Sequence, residues 1–451
     1  MTNIIISTLL LITFLAFIYY IMKGGNLTVG FFIMAVLWSV IGLIPFNTVM
    51  QKVIAEPALN YGPTIIYIIF GSWFGRVLVE TGIAGSISAQ TEKVGRKAPI
   101  LATIMIVLVT VLIFSSAYGV GSVMAIGVIL IPILLSIGVP KRLAIPIFTM
   151  AIGGAMYLNV VLFNQIKAFF PSVSYSGKYL MFGITAMLVQ TVGIIIFILI
   201  HRRQIKGGAI EELAEAKAGA PAVPRVNPIT YVIPLLPVIF NLVFKWDAIP
   251  ALLLSTLIAL LLTGKMKTFH GLVDFVNQTT VRAVNDIAGL IIFLLALIMF
   301  VGAATINVPH FKGLIEVILP HNPLILALLF AVLAPLALFR GPLHVWGAGA
   351  ATASVLAATG YFNPMFLLPL FYTVSIMAVS IDLTQSWNTW ALTYSKLSSK
   401  EYLKTGVPVM WIITAVNVML VYVFFWPLSN EGEQTDDGTI NFRRTNCNFC
   451  F

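Results

Sequence analysis

Residues 115–122 read Ser-Ser-Ala-Tyr-Gly-Val-Gly-Ser, and residues 339–344 read Phe-Arg-Gly-Pro-Leu-His. Each stretch interrupts a long apolar run for only a few positions. Its flanks are apolar arms, 99–115 and 122–138 in the first case, 323–339 and 343–359 in the second. Arms of about 17 residues sit at the lower limit for crossing a hydrocarbon core about 30 Å thick. Two arms joined so tightly are either full spans with a surface loop or a re-entrant hairpin whose tip stops at mid-membrane. Composition favours the hairpin. Gly119, Gly121 and Gly341 permit positive φ and close backbone approach, and Pro342 interrupts a helix. Non-helical backbone survives at membrane depth only where protein or a water-filled cavity satisfies it.

The surroundings of these breaks are those of a membrane protein. Of 451 residues, 59% are hydrophobic and 9% charged, with a mean hydropathy of +1.01. A soluble domain carries roughly 25% charged residues, so a soluble enzyme is excluded. Five His and two Cys give little basis for a metal or redox protein, because a structural zinc site takes four ligands. Cys447 and Cys450 both fall in the polar tail, 428–451. No nucleophile–base pair, nucleotide loop or filter repeat is present, so neither an enzyme nor a channel is expected, and no cofactor.

Fourteen apolar runs lie at about 4–22, 28–46, 60–80, 99–115, 122–138, 143–165, 179–201, 229–245, 248–263, 284–305, 323–339, 343–359, 364–381 and 405–427. The first is not expected to be a cleaved signal peptide, since it lacks a basic n-region. A hydrophilic linker, 202–228, separates a first half, 1–201, from a second, 229–427. Matching runs start about 220–226 residues apart, the signature of an internal duplication. Pro99 and Pro323 open the fourth run of each half, and Pro146 and Pro369 sit early in the sixth. Halves with an odd number of crossings lie in opposite orientations, the usual build of secondary transporters. The expected fold is therefore an all-α polytopic membrane protein of two inverted repeats, each with a re-entrant hairpin and a broken helix.

Charge placement orients it. If the loop carrying Lys93, Arg96 and Lys97 is cytoplasmic, seventeen basic residues fall inside and seven outside, as the positive-inside rule requires. Both termini are then outside, in the plasma membrane (the inner membrane of a bacterium). The net charge of +10 orients the chain in the lipid bilayer and does not imply nucleic acid.

The sixth run of each half carries a second polar cluster. One holds Asn159, Asn164 and Gln165; the other holds Ser380, Asp382, Thr384, Gln385, Ser386 and Asn388. At the repeat offset Asn159 falls opposite Asp382. Isolated polar residues in membrane helices are often interhelical glue, but paired clusters read as unwound stretches lining a cavity. Ionisable groups inside the membrane cost at least about 2.5–3.5 kcal/mol and are functional by default. Arg76 and Glu80, four apart, are expected to pair with each other, and Asp286 to lie in the interface without a role. Arg340 has no acid within a helical turn, and its planar fork suits a carboxylate. His344 would hydrogen-bond the same anion or titrate. Asp382 is either the counter-ion of Arg340, a proton carrier or a sodium ligand.

This pattern resembles the ion transporter superfamily, which includes citrate, gluconate and C4-dicarboxylate permeases. The resemblance runs from about residue 28 to 427 and rests on the architecture, the Gly-rich tip at Ser116 to Ser122 and the polar break at Asp382 to Asn388. The Ser-Asn-Thr tripeptides of the sodium-coupled dicarboxylate branch are absent from both tips. The resemblance implies substrate binding between hairpin tips and helix breaks, an elevator mechanism and a homodimer. The expected function is symport of a small organic anion with a proton or sodium ion; the alternative is a monovalent cation/proton antiporter. The substrate-binding candidates are Ser116, Tyr118, Gly119, Gly121, Ser122, Asn159, Asn164, Arg340, Gly341, His344, Thr384, Gln385, Ser386 and Asn388, with Asp382 for the coupling ion and no metal site beyond a possible sodium ion.

Overall fold

A computed structural model describes residues 2–23, 25–87, 98–167, 169–175, 177–205, 226–318 and 320–429. The Lys93, Arg96 and Lys97 loop, most of the 202–228 linker and the tail from 430 lie outside the described residues. Among those described, all regular structure is helical, as a bilayer demands of a chain that must satisfy its own backbone. The first half comprises α1 (Thr2–Met22), α2 (Leu27–Ile41), α3 (Phe46–Glu80), α4 (Pro99–Phe114), α5 (Val120–Ser136), α6 (Lys141–Met156), α7 (Val160–Ile166) and α8 (Gly177–Ile200). The second comprises α9 (Leu236–Phe244), α10 (Ala248–Leu262), α11 (Phe269–Ile318), α12 (Pro323–Leu333), α13 (Gly349–Thr359), α14 (Pro364–Ile381), α15 (Ser386–Ser395) and α16 (Ser399–Ser429). From α2 onward the order of helices in the first half recurs in the second.

Fourteen apolar runs do not give fourteen helices of spanning length among the described residues. Among the described residues, six helices are long and apolar enough to span a membrane, or seven if the α6–α7 pair, bent by 70°, is one span. Three of the four hairpin arms fall short, whereas the first arm of the later hairpin, Pro323–Arg340, is one of the six. At 1.5 Å per residue α4 and α5 are about 24–26 Å long and α13 only about 16 Å, against about 30 Å of hydrocarbon.

Two departures from the sequence expectation stand out. Helix α11 has 50 residues, far beyond the expected 284–305. Its first turns carry His270, Asp274 and Arg282, so they lower the hydropathy although the helix continues through them. The second arm of the later hairpin begins at Gly349 rather than 343. Residues 341–348 curl instead, with the Ala348 N–H donating to Arg340 O at 2.8 Å and the Gly349 N–H to Gly341 O at 3.0 Å.

The helices sort into two packing groups. Helices α2, α3, α10 and α11 lie against one another, whereas α4, α6, α8, α12, α14 and α16 form a second body. The groups meet where α3 touches α5 and α7, and where α11 touches α13. On α3 the facing positions are small. A Cβ at Gly71 would collide with Val161, and one at Gly75 would lie 3.0 Å from Tyr118 O.

Candidate functional site

Both tips and both helix breaks converge on one cavity of ≈ 330 Å³ between the two helix groups. The first tip contributes Tyr118, Gly119 and Val120, and the first break Leu162 and Gln165. From the second tip come Arg340 and Trp346; from the second break Gln385, Ser386 and Trp387. Helix α11 closes the remaining side with Asp286 and Phe293. The N-terminal ends of α5 and α15 border the space, and the partial positive charge of helix N-termini favours an anion there.

The first tip turns at Gly119, whose φ of 101° and ψ of 150° belong to a region open to glycine. Its serines brace the turn. Ser116 Oγ donates to Pro234 O at 2.5 Å and Ser122 Oγ to Tyr118 O at 3.2 Å. Asn159 is engaged on both sides. Its Oδ1 accepts from the Val161 and Leu162 N–H groups, both at 3.1 Å, while Nδ2 donates to Phe114 O and Ala117 O, both at 3.0 Å. Three successive carbonyls at the break are met by tyrosine hydroxyls: Tyr372 donates to Met156 O, Tyr179 to Tyr157 O and Tyr175 to Leu158 O. The first break is thus closed by its neighbours.

At the second tip, Phe339 and Arg340 have φ of 56° and 58°, a left-handed conformation that costs a non-glycine residue roughly 1–2 kcal/mol. Gly341, expected to supply the positive φ, instead has φ −70°. Glycine is needed there because a Cβ would strike Leu336 O. The arrangement turns the Arg340 guanidinium to the cavity. Its Nη1 donates to Trp346 O at 3.0 Å, and its Nη2 to Thr384 O at 3.2 Å and Gln385 Oε1 at 3.3 Å. These acceptors are uncharged. Asp382 meets Arg340 through the backbone, its Oδ2 accepting from the Arg340 N–H at 3.3 Å and from Thr384 Oγ1 at 2.8 Å. The Asp382 carboxylate thus fixes the tip and also acts on the guanidinium by its charge, with no direct side-chain hydrogen bond between the two. Asn388 Nδ2 donates to Val379 O and Asp382 O, so it holds the break open, and its buried Oδ1 has no partner.

Of the residues singled out in the sequence, Tyr118, Gly119, Arg340, Gln385 and Ser386 border the cavity. Ser116, Ser122, Asn159, Asn164, Gly341, Thr384 and Asn388 build the tips and breaks around it, and Asn164 Nδ2 is spent on Val160 O at 2.9 Å. Gly121 lies against the Arg76 and Asp286 side chains. His344 is fully buried behind the tip with neither ring nitrogen hydrogen-bonded, its ring 5.8 Å from that of Trp346. The expected Arg76–Glu80 pair is a minor contact of 3.8 Å. Arg76 pairs with Asp286, and Glu80 with Arg282 at 2.7 Å, because α11 lays a second i,i+4 charge ladder against α3. Asp286, expected to be idle, borders the cavity. Gln165, Trp346 and Trp387 are further cavity residues. Of these only Gln165 carried a signal, as part of a polar cluster in an apolar run.

No protein-family model matches the chain, and no curated protein sequence matches it. Among solved structures, the YdaH transporter of Alcanivorax borkumensis is similar, with a TM-score of 0.60 at 14% identity, over 89% of this chain and 99% of that one. The likeness is one of fold. The chain is an all-helical, multi-pass membrane protein that shares its architecture with that transporter.

Proposed function

We propose that this protein is a secondary active transporter of a small organic anion, related to the ion transporter superfamily, with Arg340 as the carboxylate anchor. The observation that carries this reading is the convergence of both tips and both breaks on a cavity where the Arg340 guanidinium rests on neutral acceptors. A permanent planar cation with unspent donors suits a carboxylate, and the N-terminal ends of α5 and α15 add to the field. The likeness to a transporter supports transport at the level of fold.

Asp382 is assigned to the coupling ion, a proton or sodium. Neutralising it weakens its bonds to the Arg340 N–H and Thr384, so occupancy by a cation is linked to the position of the tip that holds the anion. The first break offers no equivalent, because the Asn159 amide already fills its place with four hydrogen bonds. The two helix groups, meeting along the small Gly71 and Gly75 face of α3, suit an elevator movement of one against the other. The working form is a homodimer in a bacterial inner membrane, with both termini outside.

The test is uptake of labelled organic acids into proteoliposomes under an imposed sodium or proton gradient. Gradient-driven accumulation that is lost in Arg340→Ala supports the reading. Flux of a monovalent cation against protons, with no organic anion moved, would favour the antiporter.

A further inference from the structure

Gln165 is the most conspicuous polar group at the cavity. It is 1% exposed; its Oε1 has no hydrogen-bond partner, and its Nε2 makes no more than a loose approach to the Tyr118 hydroxyl. Its neighbours on the same break, Asn159 and Asn164, are hydrogen-bonded within the protein. A buried polar atom left unpaired costs about 1–3 kcal/mol, so the free Oε1 suits a donor that enters the cavity. Across the same space Trp346, 4% exposed, carries an indole Nε1–H that also lacks a partner. An amide both donates and accepts, whereas an indole only donates. A hydroxyl group satisfies either.

Charge sets the other limit. Among the described residues Arg340 is the one basic side chain bordering the cavity, and Asp286 brings a carboxylate to the α11 wall. One carboxylate of a substrate is matched by full charge. A second would meet neutral groups or Asp286, whose charge is already balanced by Arg76. The Tyr118, Trp387 and Phe293 rings supply apolar surface for the carbon skeleton.

We propose that Gln165 and Trp346 are specificity-determining residues that read hydroxyl groups, and that the transported anion is a hydroxylated monocarboxylate rather than a di- or tricarboxylate or an unsubstituted acid. This rests on the reading of the protein as an organic-anion transporter. A site built to hydrogen-bond a hydroxyl rejects analogues that lack it, because its own buried groups are then left unpaired.

The experiment measures proteoliposome uptake of matched acids: D-gluconate with hexanoate, L-lactate with propanoate, and adipate and citrate as polyacids. In the wild type at least one hydroxylated monocarboxylate is taken up at least about tenfold better than its deoxy partner and better than either polyacid. Gln165→Leu and, separately, Trp346→Phe narrow that ratio to below about threefold, because uptake of the hydroxylated acid falls by more than uptake of its deoxy partner. Gln165→Asn, which keeps the amide, retains part of the preference, and this separates recognition from a packing defect. Preference for a polyacid or a deoxy acid overturns the proposal, as does an equal loss of all acids in both variants. If no organic acid enters at all, the transporter reading itself has failed, a different result from the wrong acid entering.

Discussion

Replacing Arg340 separates what its side chain does from what its backbone needs. The residue sits at φ 58°, which glycine adopts freely and alanine does not. Arg340→Gly and Arg340→Ala delete the same three side-chain hydrogen bonds, to Trp346 O, Thr384 O and Gln385 Oε1. Only the alanine variant keeps the backbone strain, so the glycine variant is more stable than the alanine one by about 1 kcal/mol. Transport gives no such difference. Losing the charged partner of a buried carboxylate costs about 2–5 kcal/mol, and because Arg340 is open to the cavity the lower half of that range applies. At about 1.4 kcal/mol per tenfold, KM for the anion rises roughly 30- to 300-fold in both variants. Arg340→Lys lies between, since a point charge cannot bridge tip and break as a planar fork does. The assay is initial-rate uptake in proteoliposomes beside a thermal melt of each variant in detergent. Wild-type KM in the glycine variant would refute the assignment of Arg340 to the substrate. Equal melting of the two variants would refute the strained tip.

Three further perturbations follow from the same geometry. Asp382→Asn removes the carboxylate that joins the second tip to its break, so uptake loses its dependence on the ion gradient while anion binding persists; unchanged coupling would place the coupling group elsewhere. Asn159→Asp keeps the acceptor for Val161 and Leu162 but sets a carboxylate against Phe114 O and Ala117 O. The neutral acid is the better fit, so folding favours the protonated form; this variant melts lower than wild type at neutral pH and recovers as pH falls. A pH-independent difference would count against that geometry. Gly119→Ala, forced to φ 101°, costs about 1–3 kcal/mol and lowers the melting temperature, whereas a wild-type melt would show that the turn is not fixed.

The breaks were legible in the sequence because a bilayer leaves few explanations for Gly, Pro and polar residues inside an apolar run. Gly119, Arg340 and the Asp382 to Asn388 cluster declared themselves in this way. Which polar side chain faces the cavity did not. Asn164 and Gln165 are adjacent, about 100° apart on a helix, and only the packing of α7 against α3 decides that Gln165 turns inward while Asn164 bonds its own helix. Composition also placed the strain wrongly. The positive φ values fall on Phe339 and Arg340, because Gly341 is needed for its missing Cβ. Asp286 was hidden for a different reason: its role depends on α11 lying against α3 and bringing the carboxylate to Arg76. The length of α11 was masked by the polar turns at its start.

The central claim is that an organic anion occupies the cavity between the tips and breaks. Ser386 is exposed on its wall, so a Ser386→Cys variant lacking Cys447 and Cys450 places one thiol at the site. The account predicts that a transported organic acid slows labelling of this thiol by a membrane-permeant maleimide, and that the protection disappears when Arg340→Gly is added. Labelling that no organic acid slows, but that sodium or protons alone suppress, would contradict it.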